Sequence, residues 1–402
     1  MKVQEVILKA MAGSLKWWEA AEIIGISDRS LRRWRERYEE FGYDGLFDRR
    51  DDGLFDRRKK RPSPKRVPVK TVEQVLQLYR EQYFDFNVRH FHEKLVEDHG
   101  IKLSYTWVKK ALQEAGLVAK QKRRGTHRRR RPRRPISGML LHIDASKHAW
   151  FQDGRYYDLI TILDDATSEV YYAQLVEEEG THTVMVAVRD VVEKHGWFAT
   201  LYSDRASHFF HTPQAGGKVD ANNVTQLGRA LKELGIQMIP AYSPQARGRQ
   251  ERNYRTWQGR LPQELRVRGT SDVADANRFL REEYLAEFNR RFTVPAAAKG
   301  TAFVRLRRRD LDWVFSIQYQ RRVNNDNTVT LFNRVLQIPK TKWRNTLAGS
   351  TVTVYEQLDG SVVVRYGPRE VARFAAGELP EPLPKIRTGP RPLGHKRKAA
   401  AA

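Results

Sequence analysis

Residues 140–175, LLHIDASKHAWFQDGRYYDLITILDDATSEVYYAQL, decide the fold that this sequence predicts. Within them, apolar residues alternate or run together over Leu140–Trp150, Tyr156–Leu163 and Val170–Leu175, with polar turns between. Runs of this length and pattern are typical of β-strands. Because the connections are short, we expect the three strands to form an antiparallel meander.

Helix-like and strand-like stretches alternate beyond the meander. They are His182–Lys194 (helix), Thr200–Ser203 (strand), Val224–Leu234 (helix), Ile236–Pro240 (strand), and then two long helices, Gln245–Val267 and Val273–Arg291. Three strands followed by alternating helices and strands predict a mixed sheet with helices on both faces. This is the layout of a ribonuclease H-like α/β core.

Short strand-like stretches return after these helices and predict a small C-terminal β-barrel. They are Trp313–Arg321, Thr328–Leu331, Val335–Ile338, Thr351–Gln357 and Val362–Arg365. The last residues, Pro380–Ala402, are rich in proline and basic side chains and predict a disordered tail.

The first 45 residues predict a helix-turn-helix. An apolar stretch ends at Gly25, and Ser27 is placed to cap the next helix. In that helix Leu31, Trp34 and Tyr38 share one face, which leaves the arginines outward: Arg29, Arg32, Arg33 and Arg35. Such a helix suits a DNA major groove, and the alternative is a structural helical bundle with a solvated basic face.

Residues Thr71–Leu117 predict a second helix-turn-helix. A stripe of apolar residues ends near Gly100, and Ser104 is placed to cap the following helix. Its exposed reading residues would be Thr106, Lys109 and Lys110. A helical spacer is the alternative interpretation.

Two segments have the composition of connectors. Residues 44–50 and 52–58 both read DGLFDRR, a tandem repeat too short for a solenoid. Lys120–Pro135 contains no acid and is rich in arginine, so it predicts a DNA-tracking linker rather than a core. Its candidate DNA contacts are Arg128, Arg129, Arg130, Arg131, Arg133 and Arg134.

The composition favours a polyanionic partner. The 402 residues include 73 Lys and Arg against 48 Asp and Glu, which gives a formal net charge of +25. Repulsion among the excess positive side chains destabilises a compact chain unless an anion is bound. No apolar run approaches the roughly 18 residues of a transmembrane helix, and the first 18 residues lack a signal-peptide pattern. We expect a soluble cytoplasmic protein. Because cysteine is absent, metal ligands would be carboxylates or histidines.

Three acids stand where a sheet of this layout brings carboxylates together. Asp144 lies inside the first apolar strand, Asp204 directly follows Leu201-Tyr202-Ser203, and Glu251 opens a helix. Singly, each has an ordinary structural explanation as a turn, cap or helix-start residue. Glu233 and Glu264 are alternative candidates for the third acid of this group. The order along the chain favours Glu251, because it follows the last core strand.

Together and in this order, the acids resemble those of the DDE transposases and integrases of the retroviral-integrase catalytic-core superfamily. The motifs YSD at 202–204 and SPQARGRQER at 243–252, with Asn253, Arg255 and Leu261 following, are most similar to the bacterial insertion-sequence transposases of the ISNCY type. The resemblance covers most of the chain and is strongest over Met139–Arg291. It implies that Asp144, Asp204 and Glu251 are the catalytic and metal-binding residues.

The same resemblance implies a reaction and its partners. Two Mg²⁺ or Mn²⁺ ions per active site would support phosphoryl transfer. Water would free a 3′-hydroxyl at the transposon end, and that hydroxyl would attack target DNA. The implied partners are terminal inverted-repeat DNA, target DNA and further copies of the chain on paired ends, in a nucleoid-associated bacterial protein.

The sequence departs from the retroviral enzymes in three places. The interval between Asp204 and Glu251 is longer, with residues 211–221 resembling an inserted loop, which fits the insertion-sequence type. Arg205 and Ala206 replace a small polar residue and glycine, and there is no cysteine for a zinc module.

Other polar residues receive plainer interpretations. Asp164 and Asp165 are expected to be turn residues, and His90, His92 and His99 surface histidines. Arginines crowd the helix of Glu251, where they would neutralise phosphate or form a solvated face: Arg247, Arg249, Arg252 and Arg255.

The predicted division of the chain has six parts. They are helix-turn-helix domains at 1–58 and 59–118, a basic linker at 119–136, a DDE core at 137–295, a barrel at 296–378 and a tail at 379–402. Two other functions remain open: a catalytically inactive DNA-binding regulator, for which the helices and linker would suffice, and a ribonuclease H-like nuclease.

Overall fold

The computed structural model describes residues 3–42, 67–120, 131–214, 217–242, 248–306 and 310–382. The DGLFDRR repeat, Arg128–Arg130, Arg247 and residues 383–402 of the predicted tail lie outside the described residues. The chain divides into two compact units, Met1–Leu78 and Tyr79–Ala402.

The first unit contains the predicted helix-turn-helix. Its helices are α1 (Val3–Met11), α2 (Trp17–Ile24) and α3 (Asp28–Phe41). Gly25 ends α2 in the left-handed conformation at φ 74°, which glycine adopts without steric cost. The Ser27 hydroxyl accepts a hydrogen bond from the backbone N–H of Ser30, as predicted. Leu31 is buried, with Trp34 and Tyr38 packed beside it.

A second helical group follows. Helix α4 (Val69–Glu81) crosses the boundary between the units, and α5 (Val88–Glu97) and α6 (Tyr105–Glu114) belong to the second. Asn87 caps α5 and Ser104 caps α6, the latter by accepting from the backbone N–H of Trp107. The shared core of α5 and α6 consists of fully buried apolar side chains: Phe91, Leu95, Val108 and Leu112.

The centre of the second unit is a five-stranded mixed sheet. Its strands are β1 (Leu141–His148), β2 (Tyr157–Asp164), β3 (Val170–Val176), β4 (Thr200–Ser203) and β5 (Gln237–Pro240). They are ordered β3-β2-β1-β4-β5, with β1, β2 and β3 antiparallel and β1, β4 and β5 parallel. The predicted meander and mixed sheet are therefore confirmed.

Helices cover both faces of this sheet because successive strand residues point to opposite sides. Ile160 and Ile162 of β2 pack with α7 (Thr181–His195) and α8 (Gln226–Leu234). Leu159 and Leu163 pack with the helices of the other face. Those helices are α9 (Gly248–Gln258), α10 (Leu261–Arg268), α11 (Val273–Phe279) and α12 (Leu285–Phe292), with a π-helical turn, Leu280–Tyr284, joining the last two.

The predicted single helix Gln245–Val267 is wrong, since α9 and α10 are separate. The break falls at Gly259 and Arg260, and Pro262 occupies the first turn of α10, where its missing N–H is tolerated.

The C-terminal region forms two small sheets. A short helix, α13 (Leu311–Val314), replaces the start of the first predicted strand. The strands are β6 (Ile317–Arg322), β7 (Thr328–Leu331), β8 (Arg334–Gln337), β9 (Thr351–Glu356), β10 (Val362–Tyr366) and β11 (Arg369–Phe374). The orders are β11-β10-β9-β6 and β7-β8, and one apolar core joins them. Within the described strands neither sheet closes on itself, so the predicted barrel is not confirmed.

Candidate active site

Asp144 and Asp204 are brought together by the pairing of two parallel strands. His142 of β1 pairs with Tyr202 of β4. Asp144 lies two residues beyond His142, and Asp204 lies two residues beyond Tyr202, directly after the last residue of β4. Neighbouring strands run about 4.8 Å apart, so both carboxylates originate from adjacent backbone positions.

Helix α9 is fastened over Asp144. The buried Tyr254 hydroxyl donates to the backbone carbonyl of Asp144, and Gln250 donates to the hydroxyl of Thr161 at 2.9 Å. Thr161 is the residue of β2 that pairs with Asp144. Burial, together with the nearby charge of Asp144, raises the pKa of the Tyr254 phenol well above its ordinary value, so Tyr254 stays a protonated donor.

Glu251 occupies the first turn of α9, next to Gln250, and is exposed. In the described parts of the chain, no three His, Asp or Glu side chains are grouped closely enough to hold a metal ion. The structure thus aligns the two aspartates by strand register and carries Glu251 on the helix that covers Asp144. It does not gather the three acids into one cluster.

The two aspartates suit a hard divalent cation. Carboxylate oxygens are the ligands that Mg²⁺ and Mn²⁺ prefer, and Asp144 is held in a strand with only 7% of its surface exposed. Asp204 has a structural role as well, because its Oδ1 accepts from the backbone N–H of Ala206 at 2.9 Å. The donor set therefore fits two ligands of such an ion, and the third candidate is Glu251.

The competing acids are engaged elsewhere. Glu233 lies on α8 and pairs with Arg229 one helical turn away at 3.3 Å. Glu264 lies on α10, buried, with its carboxylate bound to His90 at 2.5 Å and to Lys94 at 3.0 Å.

These contacts correct the prediction that His90 is a surface histidine. His90 is 2% exposed, because α5 packs against α10. Burial lowers its pKa below the ordinary value, although the hydrogen bond to Glu264 acts in the opposite direction. Burial would raise the pKa of Glu264, but the bond from His90 and the charge of Lys94 bring it below its ordinary value.

More ion pairs join the same two regions. Asp85, Glu93 and Glu97, in or near α5, receive arginines from the helices of the core. The pairs are Arg266–Asp85 at 2.6 Å, Arg260–Glu93 at 2.7 Å, Arg291–Glu93 at 2.6 Å and Arg291–Glu97 at 2.5 Å. Asn87 also donates to the carbonyl of Gly259 at 2.9 Å. Helix α5 is thus docked on the core by charged contacts, which local sequence patterns did not reveal.

Asp165 is a second feature that the sequence did not reveal. It follows β2, is fully buried, and accepts from His142 Nε2 at 2.7 Å and from the backbone N–H of Arg134 at 2.8 Å. The guanidinium groups of Arg131 and Arg249 also bind its Oδ1. Asp164 alone has the predicted turn role, accepting from the backbone N–H of Thr167 at 2.8 Å.

Those candidate DNA-contacting residues that the structure describes fall into two groups. Most are exposed on helices: Arg29, Arg32 and Arg33 on α3, Thr106, Lys109 and Lys110 on α6, and Arg252 and Arg255 on α9. The others bind groups of the protein. Arg131 and Arg249 bind Asp165, and Arg133 donates to the carbonyls of Asp165 and Ala166 and to Ser168. Arg134 is exposed and offers its backbone N–H to Asp165.

Of the helices that the structure describes, none is both long enough and apolar enough to span a bilayer.

Comparison with known proteins gives matches over most of the chain. Two family models described as homeodomain-like domains match residues 2–47 and 30–112. The putative transposase y4bF of Sinorhizobium fredii is 31% identical over 368 residues, which cover 90% of this chain and 78% of that protein. The transposase for insertion sequence IS1202 of Streptococcus pneumoniae is 27% identical over 266 residues, which cover 58% of this chain and 55% of that protein.

Solved structures show more distant likenesses. The HTLV-2 integrase catalytic core domain in complex with magnesium, in its dimeric form, aligns with a TM-score of 0.28 at 11% identity, over 37% of this chain and 88% of that one. A simian T-cell lymphotropic virus intasome in complex with PP2A regulatory subunit B56 gamma aligns with a TM-score of 0.34 at 11% identity, over 77% and 99% of the two chains.

Proposed function

The chain belongs to the family of insertion-sequence transposases, and from this premise we propose what it does to DNA. It binds the terminal inverted repeats of its element, cleaves there to free 3′-hydroxyl ends, and joins those ends to target DNA. Asp144, Asp204 and Glu251 are the proposed catalytic residues and metal ligands.

The observation that carries this proposal is the register of β1 with β4. The pairing of His142 with Tyr202 aligns Asp144 with Asp204, two acids that are 60 positions apart in the sequence. Helix α9, with Glu251 in its first turn, is tied to the backbone of Asp144 by Tyr254. Like charges at adjacent strand positions repel unless a cation offsets them, which favours a metal site over a purely structural pair.

The proposed cofactor is two Mg²⁺ or Mn²⁺ ions, which when bound would activate the attacking oxygen and stabilise the leaving oxygen of a phosphodiester. The residues of the chain would position these ions and neutralise the DNA. Asp144 and Asp204 hold fixed positions because their strands are paired. Arg252 and Arg255, exposed on α9, are available to neutralise DNA phosphates beside the acids.

DNA recognition is proposed for the helical segments. The exposed arginines of α3 and the exposed Thr106, Lys109 and Lys110 of α6 lie on helices with buried opposite faces, as groove-reading helices do. By analogy with its family, two or more copies act together on paired ends.

The test is a cleavage and joining assay on labelled duplexes that end in the inverted repeat flanking the coding region. With Mg²⁺, the wild-type protein is expected to release 3′-hydroxyl ends and join them to target DNA, while Asp144→Asn does neither and binds DNA normally. Asp312→Asn, which changes an exposed aspartate paired with Arg189, is the matched control and is expected to stay active.

Two outcomes would overturn the proposal. DNA binding by the wild-type protein without any metal-dependent cleavage would identify a regulator. Cleavage of RNA–DNA hybrids or junctions with no preference for repeat ends would identify a nuclease.

A further inference from the structure

Asp165 is a buried carboxylate that the proposed reaction does not use. Its side chain is 1% exposed and accepts from four groups of the protein. A buried carboxylate is costly unless it is paired and hydrogen-bonded. This site satisfies the charge with two arginines, a histidine and a backbone N–H.

One contact reaches the helix of the third acid. Arg249 lies in the first turn of α9 and binds both the carboxylate and, at 2.8 Å, the backbone carbonyl of Asp165. A cation in the first turn of a helix is disfavoured by the helix dipole. The anion at Asp165 offsets this cost and holds the first turn against the end of β2. Glu251 stands two residues after Arg249.

A second contact reaches the strands of the two aspartates. His142 of β1 binds Asp165 at 2.7 Å, and its ring packs edge to face on Tyr202 of β4, with centroids 5.2 Å apart. Asp144 stands two residues after His142, and Asp204 stands two residues after Tyr202.

The three proposed acids therefore share one relationship to this cluster. Each lies two residues after His142, Tyr202 or Arg249; His142 and Arg249 bind Asp165, and Tyr202 packs on the ring of His142. We propose that Asp165 is a positioning residue that sets the spacing of Asp144, Asp204 and Glu251 for metal binding. The inference rests on the proposed function of those acids.

The charge state of Asp165 suits this role. Burial alone would raise its pKa, but the hydrogen bonds from His142 and from the backbone of Arg134, with the charge of Arg249, hold the pKa well below its ordinary value. The carboxylate stays ionised at neutral pH. Through its bonds with Arg131 and Arg134, Asp165 also holds the end of the basic linker, residues 119–136, against the core.

The experiment measures Mn²⁺ binding to the full-length protein by titration calorimetry, with no DNA present. Asp165→Asn is expected to weaken Mn²⁺ binding by about 10- to 100-fold, the usual effect of losing a residue that orients metal ligands. Asp85→Asn is the matched control, because it removes another arginine-bound aspartate far along the chain, and it should leave Mn²⁺ affinity unchanged.

A second variant keeps the inference testable where Asp165→Asn fails to fold. Arg249→Gln leaves the bond between His142 and Asp165 and removes the bonds from α9 to Asp165 and to the backbone carbonyl of Arg131. It is expected to speed hydrogen exchange of the backbone amides at 251–254 and to leave those of β1 and β2 unchanged. The double variant Asp165→Asn with Arg249→Gln should bind Mn²⁺ no more weakly than the weaker single variant.

The outcomes separate this inference from the proposed function. Wild-type Mn²⁺ affinity in both Asp165→Asn and Arg249→Gln, alongside lost binding in Asp144→Asn, overturns the positioning role and leaves the metal site standing. Unchanged binding in Asp144→Asn overturns the metal site itself. Additive losses in the double variant would mean that Asp165 does not act through Arg249.

Discussion

His142 lies opposite Tyr202 in the parallel pairing of β1 with β4, and their rings meet edge to face. Because side chains alternate between the faces of a sheet, a slip of one residue in this register would put Asp144 on the face opposite to Asp204. The contact between the two rings is therefore expected to stabilise the strand register that the proposed chemistry requires.

Two variants of Asp204 are expected to separate its structural role from its chemical one. Asp204→Asn keeps an oxygen that accepts from the backbone N–H of Ala206, so its free energy of unfolding should stay near that of the wild type. Asp204→Ala loses that hydrogen bond, so its free energy of unfolding should fall by about 1 kcal/mol. Both should lose strand transfer, because neither carries a negative charge. Urea denaturation and a joining assay measure the two effects, and joining by Asp204→Asn at the wild-type rate would remove Asp204 from the site.

The identity of the third acid is tested by three glutamine variants. Glu251→Gln is expected to abolish metal-dependent strand transfer. Glu233→Gln should retain most of it, since Glu233 pairs with Arg229 on α8, and so should Glu264→Gln, since Glu264 binds His90 and Lys94. A dead Glu233 variant beside a live Glu251 variant would contradict the assignment.

Acid is expected to destabilise the protein partly through His90. Its folded pKa lies below its unfolded value of about 6.5, so the unfolded chain binds the proton more readily. This contribution to stability is complete above pH 6.5 and is lost as pH falls from there toward the folded pKa, by no more than about 1.4 kcal/mol per pH unit. The depressed pKa of Glu264 adds a further loss below pH 4.5.

The measurement is urea denaturation at several pH values for the wild type and His90→Gln. The variant should be less stable at pH 8 and should show a shallower decline between pH 6.5 and 5. His182→Gln, at an exposed histidine, is the control. Equal slopes for the wild type and His90→Gln would show that His90 does not titrate on unfolding.

Base reading by α3 predicts a loss that depends on DNA sequence. Arg29→Ala or Arg33→Ala should weaken binding to terminal-repeat DNA by about 1 to 3 kcal/mol and binding to random DNA by less. Fluorescence anisotropy on both duplexes at one salt concentration measures the difference. Equal losses would reduce these arginines to phosphate contacts.

The basic linker, residues 119–136, is expected to bind DNA through charge alone. Replacing Arg128, Arg129 and Arg130 by glutamine should weaken binding to all duplexes, and each lost phosphate contact should reduce the slope of log affinity against log salt by about 0.9. Arg268→Gln is a suitable control, since Arg268 already pairs with Glu283 at 2.5 Å. An unchanged salt slope in the triple variant would make the segment a spacer.

Local patterns predicted most of the elements correctly. Strand β7 has the predicted bounds, Thr328–Leu331, and Ser27 and Ser104 cap the helices that they were expected to cap. These features depend on neighbours in sequence. The break between α9 and α10 was missed although Gly259 and Pro262 marked it, because the apolar pattern around them runs on as if helical.

Features that depend on distant partners were not predictable in this way. His90 is buried by a contact with Glu264, 174 positions away, and Asp165 meets Arg249 from 84 positions away. Trp313 was expected in a strand, but it lies in the short helix α13. Asp310 caps this helix, because its side chain accepts a hydrogen bond from the backbone N–H of Asp312. Strand β11 was missed because its alternation is weak, with Val371 and Ala372 its buried apolar residues.

The charged contact between α5 and the core also limits how such a protein can evolve by recombination. A crossover between two diverged elements, placed after residue 118, would join the acids Asp85, Glu93 and Glu97 of one parent to the positions of Arg260, Arg266 and Arg291 in the other. Arg260 is only 6% exposed, and a buried charge that has lost its partner is strongly destabilising, whereas a lost apolar contact is often repacked. Hybrids would survive only where both parents share these charges, so the helices proposed to read DNA ends and the core proposed to cut them are expected to be inherited together.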